Sequence, residues 1–135
     1  MGPEKPKILV VDDNQGIRQL FQHILSEDYE IITAESGEQA LEVYKGNKDI
    51  SLLITDLQMP LMDGFELSKQ IKLKGYLGPA IMITTHIITP ELRNRANSHG
   101  IDSLIDKYEI NKSKDLIKKI IQESQQHINY SLIIP

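Results

Sequence analysis

Five times along this chain a short apolar run stops at a polar residue and gives way to a stretch with helical spacing. Lys7-Ile8-Leu9-Val10-Val11 stops at Asp12-Asp13, and Ser51-Leu52-Leu53-Ile54-Thr55 stops at Asp56. Ala80-Ile81-Met82-Ile83-Thr84 runs into Thr85, and the shorter Ser103-Leu104-Ile105-Asp106 runs into Lys107. Tyr29 to Thr33 is a weaker run of the same kind. Continuous apolar runs of this length read as strands buried on both faces.

The intervening stretches carry helix signals. Ile17, Leu20, Phe21, Ile24 and Leu25 form an apolar stripe,. Ser36-Gly37-Glu38-Gln39 has the spacing of a capping box, opening a helix through about Tyr44,. Asp63 can cap a third helix with Leu67 and Ile71 inward. Thr89-Pro90-Glu91 opens a fourth, unusually polar helix that ends at Gly100, with Leu92 and Ala96 as its inward candidates,. Leu116, Ile117, Ile120 and Ile121 mark a fifth. Strand and helix in strict alternation, with short connections, predict an α/β fold: a five-stranded parallel sheet with helices on both faces.

In such a sheet, sites form outside the carboxyl ends of the strands. That rim would gather Asp12, Asp13, Asp56, Thr84 and Lys107. Taken singly, each has an ordinary reading: an Asp after a strand is a turn former or cap, a Thr is structural, a Lys is solvated. Their joint placement at the ends of four strands points to a site. Three ionised carboxylates repel one another and need a cation. Oxygen donors without His or Cys select a hard ion, and Mg²⁺ is the abundant one. A carboxylate, a metal and a few donors are what phosphoryl transfer onto a protein asks for.

Composition removes several other classes. The chain has no cysteine, which excludes disulfides and thiolate sites,. Its net charge of −4 argues against nucleic acid as the main partner,. Lys112, Lys114, Lys118 and Lys119 read as a solvated helix face. No apolar run approaches the roughly 20 residues of a membrane span, so no membrane association is expected. Residues 1–6 lack the apolar core of a signal peptide and read as a disordered lead,. Residues 7–127 read as one domain, and 128–135 as a tail or helix extension. Nothing after residue 127 is long enough for an output domain, so direct DNA binding is not expected.

On Val10-Val11-Asp12-Asp13, Ile54-Thr55-Asp56-Leu57-Gln58-Met59-Pro60-Leu61-Met62-Asp63-Gly64, Ile83-Thr84 and Lys107, the chain resembles the response-regulator receiver domains, the CheY-like domains of two-component signalling. The resemblance covers roughly residues 7–125 and implies a flavodoxin-like (βα)5 fold. It implies that Asp56 is the phosphoacceptor, with Asp13 a direct Mg²⁺ ligand and Asp12 acting mainly through metal-bound water. The backbone carbonyl of Gln58 would be a further ligand, Thr84 the hydroxyl that moves toward the phosphate, and Lys107 the cation that pairs with it. The implied donor is a sensor histidine kinase or a histidine phosphotransfer protein, and the output is contact with a downstream protein partner. Phosphorylation-linked dimerisation is a further outcome the resemblance allows. Such domains are cytoplasmic and catalyse only their own phosphorylation and dephosphorylation. Gln58 and His86 lie where the family tunes phosphoryl lifetime, and Thr85 is bulkier than the residue often found beside the site hydroxyl.

Two positions depart from the family pattern. Leu104 stands where the family has Tyr or Phe, so no ring can swing inward. It reads either as a change in the signalling route or simply as core. Tyr108 follows Lys107 where the family has Pro, so a trans bond is expected there, and Tyr108 could fill the space left by the missing aromatic. These departures favour an alternative reading, a phosphorylation-independent interaction module. An aspartyl-phosphate hydrolase of the haloacid-dehalogenase type is disfavoured by Gln58, which stands where those enzymes place an acid.

Overall fold

A computed structural model describes residues 4–133, with side chains through Gln126. The strands are β1 (Lys7–Val11), β2 (Glu30–Ala34), β3 (Leu52–Asp56), β4 (Ala80–Thr84) and β5 (Ser103–Asp106). The helices are α1 (Gln15–Leu25), α2 (Gly37–Lys45), α3 (Gly64–Leu73), α4 (Pro90–Ser98) and α5 (Lys114–Ile133). All four strand pairings are parallel, in the order β2-β1-β3-β4-β5. This is the doubly wound α/β sheet expected from the alternation.

Alternation along the strands explains the two-sided core. Ile8 and Val10 of β1, Leu52 and Ile54 of β3, and Ile81 and Ile83 of β4 face one way. They meet Phe21 and Leu25 of α1 and Ile117 and Ile121 of α5. Leu9, Leu53 and Met82 face the other way, onto Ala40 and Tyr44 of α2, Phe65, Leu67 and Ile71 of α3, and Ala96 of α4. Because both faces are covered, β3 and β4 are buried at every position. Their near-unbroken apolar runs follow from that.

Each of the first four helices starts on a side chain that accepts from its free amides: Asn14, Ser36, Asp63 and Thr89,. Asp63 is thus a cap, as read from the sequence. Gly100, at φ +73, ends the turn after α4 in a conformation that favours glycine,.

Several sequence readings need correction. The second and third strands each lie one residue later than read, and Asp56 belongs to β3 itself. Its main chain pairs with Ile83, and strand pairing is indifferent to the charge beyond Cβ. A 3-10 turn over Lys107–Lys112, which the sequence reading lacked, joins β5 to α5. Lys112 therefore belongs to that turn and not to the last helix. Lys112, Lys114, Lys118 and Lys119 are all exposed. At the N-terminal end, the Pro6 carbonyl accepts from Glu30 N at 2.9 Å. Residues 1–3 and 134–135 lie outside the described residues.

Candidate functional site

The strand order reverses direction between β1 and β3, and their carboxyl ends flank the crevice where such sheets place ligands,. Asp12 and Asp13 follow β1, and Asp56 closes β3. One carboxylate oxygen from each of the three lies within 4.8 Å of the others. Asp12 is 0% and Asp56 5% exposed, while Asp13 faces solvent.

Lys107 reaches into this cluster from the end of β5. Its Nζ is 3.1 Å from Asp56 Oδ2 and 3.1 Å from Asp12 Oδ2. The contact to Asp56 is a directed hydrogen bond. Asp12 Oδ2 is a buried oxygen with no well-directed donor, despite the nearby ammonium. Its partner oxygen, Oδ1, accepts from Asn14 N at 2.9 Å.

Burial raises the pKa of Asp12, which the Asn14 amide opposes and the Asp56 charge reinforces,. Burial also raises that of Asp56, against the bond from Lys107 and the backbone amide of Gln58. Burial acts against the charge on Lys107, but Asp56 and Asp12 outweigh it and its pKa rises. Three carboxylates with one ammonium leave an excess of negative charge. With an undirected buried oxygen and only oxygen donors, the cluster fits a hard divalent cation.

Thr84 ends β4 and is buried. Its Oγ1 accepts from His86 N at 2.9 Å. Gln58, His86 and Thr85 are exposed on the loops around the cluster. Met59 and Met62 are partly buried against the core, as packing residues. Gly64 comes so close to β3 that an added Cβ would collide with the Asp56 carbonyl oxygen and meet Met82 Cε at 3.0 Å. Leu61 in the same loop has φ 69 and is 98% exposed.

Leu104 pairs in register with Met82 and is buried in the core beneath α4. Tyr108 does not fill any space left by an aromatic, because it is 81% exposed. Asp106 Oδ1 accepts from Tyr108 N at 2.8 Å, and this tight turn directs the ring outward,. The same turn sets Lys107 with no cis peptide bond among the described residues.

Two residues beside the cluster went unread in the sequence. Asn14 caps α1 and bonds Asp12. Arg18 Nη1 donates to the Asp12 main-chain carbonyl at 2.6 Å. Asn14 could have been found as a cap residue just before an apolar stripe. Arg18 had no local signal.

The family model described as response regulator receiver domain matches residues 8–122. The chain belongs to the response-regulator receiver domain family. The chemotaxis protein CheY of Halobacterium salinarum is 37% identical over 102 residues, covering 75% of this chain and 83% of the relative. The alkaline phosphatase synthesis transcriptional regulatory protein PhoP of Bacillus subtilis is 39% identical over 79 residues, 58% of this chain. This receiver domain spans only 32% of that regulator's length. The response regulator TrrA of Thermotoga maritima, solved in complex with Mg²⁺ and BeF, has a TM-score of 0.71 and 35% identity. That likeness covers 85% of this chain and 98% of the other. The receiver domain is a two-component signalling module, and nothing in these likenesses indicates a catalytic enzyme family. Among the described residues, no helix is long and apolar enough to cross a membrane.

Proposed function

We propose that this receiver domain accepts a phosphoryl group on Asp56 from a phosphohistidine of a sensor histidine kinase or phosphotransfer protein. The observation that carries this is the convergence of Asp12, Asp13 and Asp56 within 4.8 Å, with Lys107 Nζ 3.1 Å from Asp56. Asp13, Asp12, Asp56 and the Gln58 carbonyl would hold Mg²⁺. The ion's contribution is to offset charge on the transferred group and the carboxylates.

The chain's own residues do the rest. A carboxylate oxygen of Asp56 forms the bond to phosphorus as the bond to the donor's ring nitrogen breaks. The electron pair leaves with the imidazole. Lys107 is held at the acceptor in advance and can follow a phosphoryl oxygen without reorganisation. Thr84 would exchange its bond from His86 N for one to the phosphate. Asp56 is nearly buried, so a protein donor must seat its face on the loops around it. Those loops carry Leu61, Ile87 and Tyr108, all strongly exposed apolar side chains.

The output would leave through α4. Leu104 offers no ring to swing. The fourth helix buries only Ala96 and is held to α3 by Arg95, 4.3 Å over the Phe65 ring, and by His99, with ring centroids 4.6 Å apart. Phe65 adjoins Gly64, which lies against Asp56. A helix with so little core contact shifts at low cost. Buried Leu104 also favours a second reading, a receiver-fold module that docks without phosphate.

Incubation with Mg²⁺ and acetyl phosphate, followed by intact-mass spectrometry, separates the two. The phosphoacceptor reading predicts a Mg²⁺-dependent phospho-adduct absent from Asp56→Asn. No adduct, together with no NMR shifts on adding beryllofluoride, would sink it in favour of the docking module.

A further inference from the structure

Arg18 is in the first turn of α1 and is half-buried. Its guanidinium turns back to the carbonyl of Asp12, at 2.6 Å. The Asp12 amide is bound to Ala34 O, and the helix ladder starts with Arg18 N on Asn14 O. The carbonyl between them is thus left to the side chain. Two further links close the same segment: Asn14 N to Asp12 Oδ1 at 2.9 Å, and Asn14 Oδ1 to Gly16 N at 2.8 Å.

The bonded oxygen belongs to the peptide that joins Asp12 to Asp13. Holding it fixes the plane from which the Asp13 side chain departs. Asp13 is exposed, and no described side chain holds it in place. Asp12 Oδ1 is anchored, Asp12 Oδ2 is buried without a directed donor, and the guanidinium secures the link between the two acids. Groups that orient metal ligands from outside typically matter about 10–100-fold to metal affinity.

We propose that Arg18 is a positioning residue for the divalent ion, acting through the Asp12–Asp13 peptide. The inference rests on the reading of Asp12, Asp13 and Asp56 as the ion's ligands. It has a sign that simple electrostatics does not share. A cation near the cluster repels a divalent ion, so charge alone makes Arg18 a hindrance whose loss tightens binding. Positioning makes its loss weaken binding.

Mg²⁺ is titrated calorimetrically into the wild-type protein, Arg18→Met and Arg18→Lys. The amide shifts of Asn14 and Gly16 are followed in parallel, and melting curves check that each variant is folded. Met keeps the stem and removes the donor, whereas Lys keeps a donor and the charge. The expected result is binding weakened about tenfold or more in Arg18→Met and largely restored in Arg18→Lys. Equal or tighter binding by folded Arg18→Met overturns the proposal while leaving the ion site standing. Absence of Mg²⁺ binding by the wild-type protein removes the ligand reading and this inference together. Should Arg18→Met not fold, Arg18→Leu, which also lacks a donor, replaces it under the same criteria.

Discussion

The interior of the sheet and its carboxyl rim are built on opposite principles. Inside, β1, β3 and β4 bury Ile, Leu, Val and Met on both faces, and the main-chain polar groups pair along the ladders. At the rim, Asp12 one residue past β1 and Asp56 at the last position of β3 are buried as well. Those acids have one shared ammonium and an oxygen without a directed donor. The interior stabilises the fold, and the rim draws on that stability to hold charges where a ligand can use them. The contrast is what separates a structural carboxylate from a site.

The largest effect expected is in the interior. Ile54→Ala, at a fully buried position two residues before Asp56, should cost about 2–5 kcal/mol in urea unfolding,. A cost within a few tenths would mean that the interior is not the source of stability. Gly64→Ala comes next, because its Cβ would push on the Asp56 carbonyl. It should lose about 1–3 kcal/mol and should also slow phospho-adduct formation, linking a packing defect to the rim.

Asp12→Asn should go the other way in metal-free buffer, raising the melting temperature by removing a desolvated, repelled charge. Its Mg²⁺ response should shrink. The pH dependence has the matching sign. Burial raises the pKa of both Asp12 and Asp56 in the folded protein. The native state therefore holds more protons than the unfolded chain between the ordinary carboxylate value, about 4, and the raised values. In metal-free protein, stability contributed by these groups is lost as pH rises through that window and regained on acidification. Lys107, also raised, contributes stability that is lost only in the alkaline range. A circular-dichroism melt series from pH 4 to 8 reads this directly. The smallest change expected is Leu61→Asn. The exposed Leu61 has φ 69, and a residue that accepts that conformation should stabilise by no more than about 1 kcal/mol.

The interior was the more legible region for the same reason that it is stable. Apolar runs bounded by turn signals mark the strands: β1, β4 and β5 lie where the sequence puts them, and β3 is offset by one residue,. At β2 the signal misleads by one residue, because Tyr29 is buried by packing below the sheet while pairing starts at Glu30. The acids, Thr84 and Lys107 were legible because strand ends in a parallel sheet share a rim. Arg18 was not, since its partner is a main-chain atom six residues back and leaves no pattern in residue types. The 3-10 turn was also silent, being short and without helical periodicity. Tyr108 was misread because one bond from Asp106 turns its ring outward.

A divalent ion on Asp12, Asp13 and Asp56 would complete the rim. Melting curves of the wild-type protein with and without millimolar Mg²⁺, at pH 8 and again near pH 4, test it most directly. The melting temperature should rise clearly with Mg²⁺ at pH 8, the rise should fade near pH 4, where carboxylates take up protons, and Asp12→Asn should show little of it. A wild-type melting temperature indifferent to Mg²⁺ at both pH values would contradict it.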